Sequence, residues 1–172
     1  MFIILPILVV SIVTAQPVSA AELSDDQTGA ISQHCATTKQ SLRTLQRTDA
    51  RSRSYLGSAY ENLLSDYISP LNLRLINSNQ PNANLTKIHS QILETRQDFI
   101  SRYTSYSQAL EELISSDCQN HPNEFYDKLT NTRKKRAELS SVTTTLRNLF
   151  SEHLTEVRLL RNSLGEKDAE QK

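Results

Sequence analysis

Residues 122–164 read PNEFYDKLTNTRKKRAELSSVTTTLRNLFSEHLTEVRLLRNSL, and the apolar members of this stretch decide the fold. Phe125, Leu129, Leu139, Leu146, Phe150, Val157, Leu160 and Leu164 keep a three-four alternation for more than five heptads. That spacing lays one narrow stripe along a helix, the seam of a coiled-coil-like bundle. Pro122 suits the first helical turn, where its missing N–H has no partner to lose, and Glu124 complements the positive helix terminus. Gly165 and the charged tail 166–172 are expected to end the helix.

The same periodicity extends toward the N-terminus. Leu85, Ile88, Ile92, Phe99, Tyr103, Tyr106, Leu110 and Leu113 share a stripe on a helix expected over 85–117, which ends before the break Asn120-His121-Pro122. The run Asn77-Ser78-Asn79-Gln80-Pro81-Asn82-Ala83-Asn84 is rich in turn formers, so it reads as a loop with Asn84 as the cap of the next helix. Ile31, Cys35, Leu42, Leu45, Leu56, Leu63 and Tyr67 define a first helix over about 26–68, with a start at Ser24 to Asp26 and a stop or kink at Ser69-Pro70. No run alternates polar and apolar residues long enough to argue a strand. The expected fold is all-α: an elongated three-helix antiparallel bundle, in which a disulfide staples a helical hairpin and a third helix packs into the same groove.

Counting sharpens this picture. Residues that face each other across an antiparallel hairpin have numbers that add to a constant. The midpoint of Cys35 and Cys118 is 76.5, at the edge of the Asn-rich loop, so the two thiols meet if the first two helices fold back on each other. The third helix then runs parallel to the first at an offset of 87, which matches Leu42 with Leu129, Ala59 with Leu146 and Leu63 with Phe150. The offset sets Asp49 opposite Arg136 at the level of Tyr103 and Tyr106. These four predict a buried polar layer, because a lone Arg in a narrow core costs several kcal/mol unless a carboxylate and hydroxyls lie at the same height. Such a layer ordinarily fixes register, and the functional alternative is a ligand pocket. Asp66 and His153 form a second candidate polar pair by the same offset.

Composition bounds the function. The 172 residues include 19 basic and 19 acidic side chains, so the chain has no net charge and lacks the electrostatic footprint of a nucleic-acid binder. Residues 1–20 stand apart: Phe2 to Val13 is almost wholly apolar and Val18-Ser19-Ala20 has the small-residue pattern of a signal-peptide cleavage site. The apolar core is shorter than the roughly 20 residues a membrane span needs, and membrane contact is expected only through this segment if it stays uncleaved. No Lys or Arg precedes the apolar run, which points to a start codon further upstream. The mature chain is then 21–172, with the helical bundle domain over 21–165, exported to the periplasm, the cell surface or the medium. In such a compartment, Cys35 and Cys118 pair in a disulfide worth about 4 to 5 kcal/mol in the chain-entropy model.

Catalytic signatures are missing from the sequence. There is no Gly-x-Ser-x-Gly elbow, Gly-rich phosphate loop or His-Glu-x-x-His, and no Cys/His spacing typical of zinc. No enzyme, cofactor or metal site is expected. Lys39, Arg43, Arg47 and Arg51 form a basic stripe that reads as a solvated face or as a receiver of an acidic partner. The expected role is a structural or protein-interaction module of the cell envelope or surface, its partner another protein, with self-association through any seam left exposed. The alternative class is a small-ligand binder or sensor built on the Asp49, Tyr103, Tyr106 and Arg136 layer.

Short segments carry a resemblance: Leu45-Gln46 followed by Asp49 and Arg51; Pro70-Leu71-Asn72 with Arg74-Leu75; and Asp117-Cys118 followed by Pro122, Phe125-Tyr126 and Leu129. In these the chain resembles uncharacterised exported helical proteins of ultrasmall, host-dependent candidate-phyla bacteria. The resemblance implies a cell-envelope location and no activity. The chain is also similar, more distantly, to periplasmic helical-hairpin chaperones, although their Leu-Thr-x-x-Gln repeats are absent.

Overall fold

The computed structural model describes residues 23–78 and 82–170, with side chains through Leu164. The expected leader, 1–20, lies outside the described residues, as do residues 79–81 of the expected loop. The described chain is helical throughout, without a strand: α1 (Asp25–Gln33), α2 (Cys35–Leu63), a π-helical turn (Leu64–Ile68), α3 (Ser69–Asn77), α4 (Ala83–Ser115) and α5 (Pro122–Glu170).

The helix ends follow local chemistry. Ser24 caps α1 in a capping box: its hydroxyl accepts from the Gln27 amide at 3.3 Å, and the Gln27 side chain accepts from the Ser24 amide at 3.0 Å. His34 alone, at φ −98° and ψ 11°, separates α1 from α2. Asn82 caps α4, its side-chain oxygen accepting from the Leu85 amide at 3.1 Å, where Asn84 had been expected to do so. Asp117 binds the short α4–α5 connection by accepting from the amides of Gln119 and Asn120 and from the Asn120 side chain. Those bonds, the Asn120 side chain's foremost, hold its carboxyl below the usual carboxylate range. Gly165 does not end α5, which continues to Glu170.

The first arm, α1 through α3, departs from expectation at Ser69-Pro70, where the chain neither stops nor breaks but runs on as α3 to Asn77. In an α-helix the Pro70 ring would press on the carbonyl four residues back. The turn before it is widened instead, with the Ser69 amide bonded to the Leu64 carbonyl five residues away. The extra residue in that turn rotates the apolar stripe. Leu64, Ile68 and Leu75 become buried, while Leu63 and Tyr67, expected on the stripe, are 43% and 68% exposed.

The α4–α5 hairpin is the backbone of the molecule. Thr132 on α5 donates its hydroxyl to the Ala109 carbonyl on α4, and Arg102 reaches Glu138 at 3.4 Å. The first arm lies along this hairpin and is pinned at two places. At one end the Cys35–Cys118 disulfide, with Cα atoms 5.5 Å apart, joins a core of Tyr106, Leu110, Leu113 and Phe125, against which Ile31, Leu42 and Leu129 pack. At the other, Leu64 and Ile68 of the π turn pack with Ile88 and Ile92 of α4 and Leu146 and Leu149 of α5.

Between the pins α2 stands off the hairpin, and every residue from Arg51 to Ala59 is exposed. Its sequence gives the reason: Ser52, Ser54, Gly57 and Ser58 offer little apolar area to bury, so closing the gap would gain little. The expected pairings of Ala59 with Leu146 and Leu63 with Phe150 are therefore replaced. Leu146 packs in the core that holds Leu64, and Phe150 stacks on Tyr60 with ring centroids 4.8 Å apart.

Candidate functional site

The gap under α2 is a cleft of about 800 Å³, open along its flanks. Ile92 and Phe99 of α4 and Leu139, Leu146 and Phe150 of α5 line its apolar floor; Leu56, Gly57 and Tyr60 of α2 form the roof. Lengthwise it follows α5 from Arg136 to Phe150, a span of about 21 Å at the helical rise. The two cores close its ends, so the cavity exists because the arm is fixed on both sides of a segment that cannot fill it.

The residues expected to form a polar layer lie at the disulfide-side end of this cleft. Tyr106, 2% exposed, donates its hydroxyl to Asp49 Oδ2 at 2.6 Å. Burial, and then this bond to a carboxylate, push the Tyr106 hydroxyl well above the usual phenol range. Arg136 approaches the other oxygen, Asp49 Oδ1, at 3.8 Å, and its side chain is 55% exposed, so it stands at the mouth of the cleft and not in a closed core. Tyr103 makes no hydrogen bond to the other three. Its ring stacks with Phe99 at 6.2 Å and carries the Arg53 guanidinium 4.6 Å from its centroid.

Arg53 is the site residue that sequence reading missed. Beside the basic stripe Lys39, Arg43, Arg47 and Arg51 runs a second one: Asp49, Arg53, Leu56 and Tyr60 fall four, three and four residues apart and face the hairpin together. Farther along, Arg96 binds Glu61 Oε2 through both Nε and Nη2 at 2.9 Å, a strap from α4 to α2 across the flank of the cleft.

Asp66 and His153 are not brought together. The π turn turns Asp66 outward, where it accepts from Ser65 Oγ at 2.8 Å, while His153 is 7% exposed and lies near His89. Burial first, and the neighbouring His89 second, lower the affinity of His153 for a proton. His89, in hydrogen-bond contact with Ser69 Oγ at 3.1 Å, is lowered by burial. Among the described residues no group of three or more His, Cys, Asp or Glu side chains is placed to hold a metal ion, and no helix is long and apolar enough to cross a membrane.

Fold and site together define a class, an all-helical chain stapled by one disulfide with an amphipathic cleft under a raised helix. No family model, curated protein or solved structure matches the chain.

Proposed function

We propose that this protein is an exported binding protein whose cleft takes a small, largely apolar ligand, with no chemical step. The cleft itself carries the reading: its volume of about 800 Å³ falls in the range of small-molecule sites, roughly 300 to 1,000 Å³, and an apolar lining with a few convergent polar groups is their usual make-up. The disulfide belongs to a non-reducing environment, which accords with the leader expected over 1–20. In solution the proposed shape is an elongated three-arm antiparallel bundle; α5 alone, at 49 residues, is about 74 Å long.

Gly57 provides the test. It lines the cleft, and a Cβ built there meets nothing within 4 Å. A Cβ at 57 therefore enters open space at the roof, and a larger residue there removes a mid-helix glycine that costs up to about 1 kcal/mol relative to Ala. The neutral fluorophore N-phenyl-1-naphthylamine should bind the purified full chain, and Gly57→Phe should abolish that signal with no fall in melting temperature. Signal that persists in Gly57→Phe would place the bound dye elsewhere and sink the reading.

The interaction-module reading has an observation of its own. Tyr55, Tyr67 and Leu73 of the first arm are 78%, 68% and 58% exposed, and exposed apolar side chains of this size suit a protein partner. Reproducible capture of one partner, lost with Tyr55→Ser and Tyr67→Ser and kept with Gly57→Phe, would favour that role over ligand binding.

A further inference from the structure

We infer that the occupant of the cleft is a single-chain amphiphile with an anionic head, of the long-chain carboxylate type, its head at the Arg53 and Arg136 end and its chain along the floor toward Phe150. The inference rests on the binding reading above and adds the ligand's charge and orientation.

Charge comes first. The chain as a whole is neutral, yet the cleft is lined by four arginines against two carboxylates, a local excess of two positive charges. Both carboxylates are already engaged: Glu61 by Arg96, and Asp49 by the Tyr106 hydroxyl and Arg136. Among the described residues Arg53 has no carboxylate within 4 Å, and Arg136 is held only at 3.8 Å. A guanidinium over an apolar cleft that lacks a close anion of its own offers charge-assisted bonds to a ligand anion.

Orientation follows from how the arginines are spent. Arg96 already uses two of its nitrogens on Glu61. At the disulfide-side end, Arg53, over the Tyr103 ring, and Arg136, beside Asp49, both line the cleft and outnumber the single Asp49 carboxylate near them. The head is received there. Beyond it the floor is Phe99, Leu139, Leu146 and Phe150, bordered at the far end by the exposed Arg147, a single guanidinium against the two at the other end, and the span of about 21 Å admits an extended acyl chain lengthwise. A compact anion would leave that floor wetted, and a neutral oil would leave the arginines without a partner.

The test is displacement of N-phenyl-1-naphthylamine from the full chain by laurate, dodecanol and dodecylamine, each below its micellar concentration. Laurate should displace the dye at a concentration at least tenfold below that of dodecanol, with dodecylamine weakest. Arg53→Gln combined with Arg136→Gln should bring laurate to the level of dodecanol, each displacement being referred to the dye affinity of that same variant. Equal displacement by laurate and dodecanol, or a laurate preference that survives in the double variant, would overturn the inference while the binding reading stands. A chain that does not bind the dye at all removes both.

Discussion

The two ends of the first arm are fastened to the same hairpin by different means. At the disulfide end the fastening is covalent, and the arm's own side chains there, Ile31 and Leu42, are only half-buried against the inaccessible hairpin residues Tyr106, Leu110, Leu113 and Phe125. At the π-turn end no covalent bond crosses, and the arm is held chiefly by Leu64 and Ile68, both nearly inaccessible, against Ile88, Ile92, Leu146 and Leu149. One end relies on restricting the unfolded chain and the other on burying apolar area. The stretch between them does neither, and there the cleft opens.

This contrast is broken most forcefully at the disulfide. The crosslink closes 83 residues of chain, so replacing both cysteines by Ala should lower unfolding free energy by about 4 to 5 kcal/mol in urea titrations. A loss under about 1 kcal/mol would mean that the packing of Ile31 and Leu42 on the hairpin holds the arm unaided.

At the other end the expected loss comes from packing. Ile92 is fully buried and belongs both to the π-turn core and to the cleft floor, so Ile92→Ala should cost about 2 to 5 kcal/mol. Leu56 points into the same cleft from the raised roof but is 47% exposed, and Leu56→Ala should cost under about 1 kcal/mol. Similar losses at the two positions would show that α2 lies down on the hairpin in solution and that the cleft is closed.

A smaller difference separates the members of the polar cluster. The Tyr106 hydroxyl is buried and bonded to a carboxylate, so Tyr106→Phe should cost about 1.5 to 3 kcal/mol. Arg136 is more than half exposed and 3.8 Å from Asp49, and Arg136→Met should change stability by under about 1 kcal/mol. Combining each with Asp49→Leu separates the couplings: strong non-additivity is expected with Tyr106→Phe and near-additivity with Arg136→Met, read as melting temperatures.

What could be read from the sequence follows the same division. Near the disulfide, one sum places Cys35 against Cys118 and one offset places Asp49 against Arg136, because uninterrupted α-helix keeps register over those residues. Beyond Gly57 the arithmetic fails, since Pro70 reads as a stop or kink, whereas the widened turn at Leu64–Ile68 absorbs it and shifts the stripe by one residue. Periodicity reports which residues share a face and not how far that face stands from its neighbour. Leu56, Phe99 and Leu139 thus read as closed seam when they border open space. Asp66 and His153 failed as a pair for the same cause, the offset having lost its meaning past the π turn.

The smallest expected effect is a pH dependence confined to the π-turn end. His89 and His153 both bind protons less readily in the fold than their ordinary value of 6.5, each chiefly through burial. Above that value both imidazoles are neutral whether the chain is folded or not, and they contribute nothing to the slope of stability with pH. As pH falls below 6.5, the unfolded chain takes up the protons first, so stability falls until the folded-state values are passed. Melting temperature should therefore decline between pH 7 and pH 5.5, and His153→Gln should flatten part of that decline. The neighbouring imidazole adds a second reason for slope, because protonating either ring disfavours the other. Tryptic cleavage after Arg74, on the arm segment packed beside His89, should accelerate over the same interval more than cleavage after Lys39 near the disulfide. Equal acceleration at the two sites would show that acid loosens the whole arm, and that the ends differ in how they are held but not in what releases them.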